Sequence, residues 1–192
     1  MDAGTSPRER YRAQVRAEIK QHAWEQLATT GVAALSLNAI AKQLGMSGPA
    51  LYRYFASRDE LITDLVRDAY RSLADTVRSA FDAGADVAGL AHAIRKWALD
   101  DPQRYLLIYG TPVPGYHAPD DTTTISDKVM VVLIDAFAAQ PRNGPVSAPA
   151  SRRALSFWTR VHGVLSLELA GHFAGMDVDP AQLFADEVDT LL

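Results

Sequence analysis

Residues 36–55, SLNAIAKQLGMSGPALYRYF, constrain the fold of this chain more than any other stretch. Ser36 can cap a short helix whose buried residues are Leu37, Ile40, Ala41 and Leu44, the spacing of one helical face. Ala41 puts almost no side chain where a second helix would cross, so two backbones can approach closely. Gly45 falls just after the last helical residue, where the turn needs a positive φ that glycine alone adopts without steric cost. Met46 then tucks into the core, Ser47 is a second N-cap, and Pro49 sits in the first turn of the next helix. Leu51 and Phe55, at i and i+4, pack that helix back on the first. The spacing predicts a helix, a tight turn and a second helix from Gly48 to Tyr54.

What such a unit leaves outside is informative. Once Leu51 and Phe55 face inward, Gly48, Ala50, Tyr52, Arg53 and Tyr54 lie on or near the outward side. That is a poor solvated surface but a good one for docking in a DNA groove. Small residues at a helix N-terminus let it enter deeply, tyrosine hydroxyls reach phosphate oxygens, and Arg53 can pair with phosphate or with guanine. The helix starts at Ser36, Ser47 and Ser57 can also present backbone N–H groups to phosphates. The alternative for Tyr52 or Tyr54 is a core aromatic with a satisfied hydroxyl.

Charge is distributed to match. The chain carries 19 Lys plus Arg against 23 Asp plus Glu, a formal net charge of −4, which taken alone argues against a polyanionic partner. Up to Glu60, however, 8 basic residues outweigh 6 acidic ones, and the remainder carries the net negative charge. Arg8, Arg10, Arg12, Arg16 and Lys20 gather in or before the first helical pattern, and Lys42, Arg53 and Arg58 follow in a compact stretch. Clustering of this kind points to a polyanion more directly than the total does. A solvated helix face with Glu9 and Glu18 as neighbours is the other reading of the first five cations.

Other chemistry finds little support. With no cysteine there is no disulfide, no thiolate zinc site and no thiol nucleophile. His162, Glu168 and His172 do not share one helical face, so no metal is expected. No Ser/His/Asp setting or glycine-rich phosphate loop follows a recognisable pattern, so neither catalysis nor a cofactor is expected. The N-terminus lacks an apolar signal core and no window offers about 18 uninterrupted apolar residues, which makes a cytoplasmic protein the expectation, without membrane contact.

Helical periodicity continues to the end of the chain. Val15, Ile19, Ala23 and Leu27 form a stripe that stops at Gly31, and Ser57-Arg58-Asp59-Glu60 reads as a capping box opening a long helix that fades at Gly84. Further helices are expected over about 86–99, 102–109, 122–139, 151–173 and 180–191, with Asp101-Pro102 and Asp179-Pro180 as cap-plus-proline starts. The proline-bearing stretches 110–121 and 140–150 read as loops. The fold is therefore expected to be all-α, with a helix-turn-helix unit within 1–60, of which 1–7 form a flexible arm, and a helical part over 61–192.

Gly31, Leu35-Ser36-Leu37, Ile40-Ala41, Leu44-Gly45-Met46-Ser47, Leu51-Tyr52-Arg53-Tyr54-Phe55 and Ser57-Arg58-Asp59-Glu60-Leu61 together resemble the N-terminal DNA-binding domain of TetR-family transcriptional regulators over about residues 10–62. The resemblance implies a homodimeric, all-helical, usually ligand-responsive repressor on double-stranded operator DNA, with a three-helix, helix-turn-helix DNA-binding domain over 1–60 and a helical ligand-binding and dimerisation domain over 61–192. By position it implies that the helix from Gly48 to Tyr54 reads bases and that Ser36, Tyr52, Tyr54 and Arg58 contact phosphates. Lys42, Ser47, Pro49 and Ala50 complete the expected DNA-binding set. Arg58 stands where the family commonly has Lys, and Pro49 where many members have a polar or basic residue. Asp101-Pro102-Gln103-Arg104-Tyr105 and the run from Trp158 to Leu169 resemble a subgroup of the family's C-terminal domains named for its Trp, His and Gly.

In that second part Leu155, Trp158, His162, Leu165 and Leu169 fall on one stripe of a helix expected to reach Phe173. Gly163 and Gly171 inside a helix cost roughly 1 kcal/mol each relative to alanine, and close approach of another helix would explain them. A two-fold interface of this helix and the last one is expected to use Gly163, Leu167, Gly171, Leu183, Phe184 and Val188. Dimerisation also lets two short reading helices meet two half-sites about 34–36 Å apart. Trp97, Tyr105, Tyr109, Phe137, Trp158 and His162 could line a mostly apolar pocket for a small-molecule effector, and plain core packing is the alternative. A helical protein-interaction module without sequence-specific DNA binding is the competing function.

Overall fold

The computed structural model describes residues 6–140 and 148–191, and among them all regular structure is helical. Contacts divide the chain into two units, one of Met1–Val66 with Thr111–Ala118, the other of Arg67–Gly110 with Pro119–Leu192. The division falls after Val66 rather than after Glu60, within one helix.

In the first unit, α1 spans Pro7–Thr30 and buries Val15, Ile19, Ala23 and Leu27, the stripe expected from the spacing. It starts earlier than expected. Ser6 and Glu9 form a reciprocal capping box with Pro7 in the first turn, so these residues belong to the helix and not to an arm. The rest of the expected arm, residues 1–5, lies outside the described residues. Gly31 ends the helix at φ 73°, a 3-10 turn follows over Val32–Ala34, and α2 spans Leu37–Gln43. The second helix of the pair, α3, is short, Gly48–Leu51, and is followed by an irregular turn in which Arg53 N–H donates to Ala50 O and the amides of Tyr54 and Phe55 donate to Leu51 O. The long helix α4 spans Arg58–Asp82. Ser57 accepts from the Glu60 backbone at 3.1 Å as a capping box requires, yet the Glu60 carboxylate accepts from Ala56 N–H at 2.7 Å instead of closing the box on Ser57.

In the second unit, α5 (Val87–Asp100), α6 (Pro102–Tyr109), α7 (Asp120–Ala139), α8 (Ala150–Leu169) and α9 (Pro180–Asp189) pack around one apolar core with the C-terminal part of α4. Asp101 and Asp179 cap α6 and α9 through Arg104 N and Ala181 N, each with proline at the first helical position. Residues 141–147 of the second expected loop lie outside the described residues.

Two expectations fail in α8. The helix ends at Leu169, and Gly171 sits past its end at φ 75°, with Gly171 N–H donating to Glu168 O and His172 N–H to Leu167 O. This is a left-handed C-terminal cap, so Gly171 answers a backbone need and not a close helix approach. The buried face of α8 is Ala154, Phe157, Val161, Val164 and Leu165, while Leu155 is 55% exposed. Of the expected stripe, Leu165 is fully buried and Trp158, His162 and Leu169 are partly buried, so only Leu155 falls off the true face, because α8 carries leucines on both sides.

Candidate nucleic-acid interface

Local rules build the helix-turn-helix. Ser36 and Ser47 accept from Ala39 N and Ala50 N, each at 3.3 Å, and fix the starts of α2 and α3. Between them Gly45 takes φ 64°, and the amides of Gly45 and Met46 donate to the carbonyls of Lys42 and Ala41. That reverses the chain in a few residues, with a conformation costing a non-glycine residue about 1–2 kcal/mol. Leu51 and Phe55 are fully buried and anchor α3 from beneath; Leu44 and Met46, expected in the core, are only partly covered.

The expected contact residues fall into two groups. Lys42, Ser47, Pro49, Tyr52 and Arg53 are exposed, with Tyr52 at 45%, and Ser36, Gly48, Ala50 and Tyr54 are partly exposed on the same α2–α3 segment. A Cβ added at Gly48 would meet Asn38 Oδ1 at an ordinary 3.5 Å, so the fold does not itself demand glycine there. Arg58 behaves differently. Its guanidinium donates to the carbonyls of Val32 at 2.6 Å, Leu35 at 3.2 Å and Ala33 at 3.4 Å, which ties the start of α4 to the 3-10 turn.

Two further arginines serve backbone carbonyls, and their role is not legible in sequence. Arg12 donates to Arg53 O at 3.1 Å and lies over the Tyr54 ring, 5.7 Å from its centroid. One turn later Arg16 donates to Tyr54 O and to Asp64 Oδ2 at 2.6 Å, with Glu60 at 3.7 Å and the Phe55 ring 4.0 Å below its guanidinium. Only their i, i+4 spacing on α1 could have marked them as a pair, since their partners are about 40 residues away.

In the second unit, Tyr105, Tyr109, Trp158 and His162 come together with Tyr70. The His162 ring lies 4.2 Å from Tyr109 and 4.1 Å from Trp158, centroid to centroid, and Tyr70 meets Tyr109 edge-on at 6.0 Å. The Tyr105 hydroxyl shares hydrogen bonds with His162 Nδ1 at 3.0 Å and Ser166 Oγ at 2.9 Å. Burial lowers the His162 pKa to about 4, so the ring is neutral at physiological pH; its Nε2 is buried without a hydrogen-bond partner. Burial also raises the Tyr105 and Tyr109 hydroxyls above their usual range.

The other two expected pocket residues lie elsewhere. Phe137 packs edge-on against Phe157, and Trp97 donates to Ser72 Oγ at 3.1 Å beside a groove of about 470 Å³ that is rimmed by Lys96, Asp100, Asp101 and Arg104. Of the expected interface residues, Gly163 and Leu167 are exposed on α8 and Leu183 is half-buried on α9. Phe184 and Val188 are 1% and 2% exposed in the chain's own core, Phe184 lying beneath the Arg95 guanidinium, so neither is available to a second copy. Among the described residues no cluster of His, Asp and Glu has the geometry to hold a metal, and no helix is long and apolar enough to cross a membrane.

Comparison with known proteins converges on both units. The family model "Bacterial regulatory proteins, tetR family" matches residues 19–65, and "Tetracyclin repressor-like, C-terminal domain" matches residues 87–191. The HTH-type transcriptional regulator Rv1816 of Mycobacterium tuberculosis is 40% identical over 207 residues, covering 90% of this chain and 88% of that protein. The crystal structure of the protein SCO4313 superposes with a TM-score of 0.89 at 64% identity, covering 97% of this chain and 99% of the other. The TetR-family regulator PfmR from Thermus thermophilus, at 16% identity and TM-score 0.65 over 91% and 96% of the two chains, shares the fold.

Proposed function

The chain belongs to the TetR family of HTH-type transcriptional regulators, a non-enzymatic family, and from that premise we propose that it is a homodimeric repressor released from a palindromic operator by a small molecule. The observation that carries the reading is the division of labour on α3: Leu51 and Phe55 are fully buried, so Tyr52 and Arg53 on the same short segment are held outward. We assign base reading to Gly48, Pro49, Ala50 and Arg53, and phosphate contacts to Ser36, Lys42, Ser47, Tyr52 and Tyr54. Arg58 is assigned to holding the turn before α2, because its donors already serve three carbonyls.

For the second copy we assign the outer face of α8, where Leu155 and Leu167 are 55% and 45% exposed and a Cβ at Gly163 would meet nothing within 4 Å. That open space beside two exposed leucines suits a close helix–helix contact. For the effector we assign the aromatic cluster of Tyr70, Tyr105, Tyr109, Trp158 and His162, whose unpartnered Nε2 offers one polar handle among apolar rings. The run Trp158, His162, Gly163 keeps the Trp-His-Gly subgroup as part of the same reading. Release requires the effector to bind the state that does not hold DNA more tightly, with a coupling of about 1–3 kcal/mol typical of such switches.

Selection of duplexes from a random-sequence pool, followed by gel-shift titration against non-specific competitor over a salt series, tests the proposal. An enriched two-fold-symmetric site with a steep salt slope is expected. Absence of any salt-sensitive DNA binding would favour a protein-interaction module.

A further inference from the structure

Resting on that operator-binding reading, we propose that Arg16 is a positioning residue for base reading, holding the C-terminal end of the reading helix to α4, and not one of the cations that meet phosphate. With one regular turn, α3 has little stiffness of its own, and the irregular turn that follows it ends at the carbonyls of Arg53 and Tyr54. These two carbonyls are served from α1: Arg12 donates to Arg53 O and Arg16 to Tyr54 O, at the end of the outward-facing segment.

Arg16 does more than cap. A planar guanidinium presents N–H groups in two directions at once, and Arg16 uses one edge for Tyr54 O and another for Asp64 Oδ2 at 2.6 Å, with Glu60 near by on the same helix. Its face rests on the buried Phe55 ring, which keeps the plane from turning. Its side chain is only 26% exposed and that of Asp64 23%. The reading segment is thus fastened to α4 by a charge-assisted bridge whose orientation is set from below. Any rotation of α4 at Asp64 must either carry the Tyr54 backbone with it or break that bridge.

Base edges reward donors placed to a fraction of an ångström, whereas phosphate attraction tolerates displacement. Loss of the bridge should therefore erode discrimination between sequences while leaving the electrostatic term intact. The experiment measures affinity of the full chain for a duplex selected by the wild type from a random pool, and for a scrambled duplex of the same length, over a salt series. Arg16→Gln and Arg16→Lys are each expected to weaken the selected duplex about tenfold, consistent with loss of one charged hydrogen bond, with little change on the scrambled duplex and no change in salt slope.

Asp64→Asn removes the charge of that bridge, and one of its two acceptor oxygens, without touching α1. It is expected to give a similar loss, and the double variant Arg16→Gln/Asp64→Asn should lose no more than Arg16→Gln alone. If the Arg16 variants fail to fold, Asp64→Asn alone decides. A salt slope that falls by about 0.9, with parallel losses on both duplexes, would make Arg16 a phosphate contact and overturn the inference, as would undiminished discrimination in Asp64→Asn. If the wild type enriches no duplex, the operator reading itself fails; if it does and the variants match it, only the role of Arg16 falls.

Discussion

The guanidinium of Arg58 donates to the carbonyl of Val32 at 2.6 Å, and through this contact the first turn of α4 holds the 3-10 turn that precedes α2. With Leu35 and Ala33 also served, the Arg58 head is committed to backbone at the place where the chain enters the helix-turn-helix. Arg58→Ala is expected to lower unfolding free energy by about 1–2 kcal/mol, after allowance for a side chain that is 32% exposed, as measured by urea denaturation. Arg58→Lys should recover little of it, because an ammonium cannot reach several carbonyls in one plane. Wild-type stability in both variants would show that these bonds are dispensable.

The turn itself makes a sharper demand. Gly45 at φ 64° has open space where a side chain would stand but the wrong backbone for one. Gly45→Ala should cost about 1–2 kcal/mol in the same denaturation experiment. Gly48→Ala, with an ordinary contact to Asn38, is expected to leave stability within about 0.5 kcal/mol of wild type while altering DNA affinity.

Phosphate contact at Lys42 can be read from salt dependence. The residue is exposed near the end of α2, and Lys42→Ala should reduce the slope of log affinity against log salt by about 0.9, with similar losses on selected and scrambled duplexes. An unchanged slope would remove Lys42 from the contact set.

Self-association and core packing are separable on α8 and α9. Leu155→Glu combined with Leu167→Glu is expected to convert dimer to monomer in sedimentation velocity, with helical circular dichroism retained, since both leucines are exposed in the protomer. Phe184→Ala should instead destabilise the fold by about 3–5 kcal/mol, because the ring is 1% exposed inside the protomer. A double glutamate variant that stays dimeric would move the interface elsewhere.

His162 gives the second unit a pH signature. Its pKa is lowered by burial from 6.5 to about 4, so between those values the unfolded chain binds a proton that the folded chain excludes. Stability is therefore expected to be full above about pH 7 and to fall as pH drops from 6.5 towards 4, by about 2 kcal/mol at pH 5 from this group alone. His162→Asn, which keeps an acceptor or donor for the Tyr105 hydroxyl, should flatten that part of the profile. A variant whose pH profile follows the wild type would refute this origin.

Much of the architecture is legible in sequence because its causes are local. The serine caps of α2 and α3, the positive φ of Gly31 and Gly45, the Asp-Pro starts of α6 and α9 and the buried stripe of α1 each depend on residues within a few positions of one another. The same reasoning fails for Leu155 on α8, where leucines occupy both faces and only packing against α7 and α9 selects one. It fails for Phe184 and Val188 for a related reason: an apolar side chain on a terminal helix suits an interface and a core equally well until the neighbouring helices are placed.

The N-terminal charge shows the same boundary most clearly. Residue order was enough to establish an all-helical chain with a basic head whose outward residues suit DNA. It could not say which cations remain for DNA. Arg16 meets Tyr54 across 38 residues, Arg58 meets Val32 across 26, and Tyr105 meets His162 across 57. A guanidinium is as compatible with a carbonyl as with a phosphate, and only the folded chain, by bringing distant carbonyls within about 3 Å of a donor, decides which partner it takes.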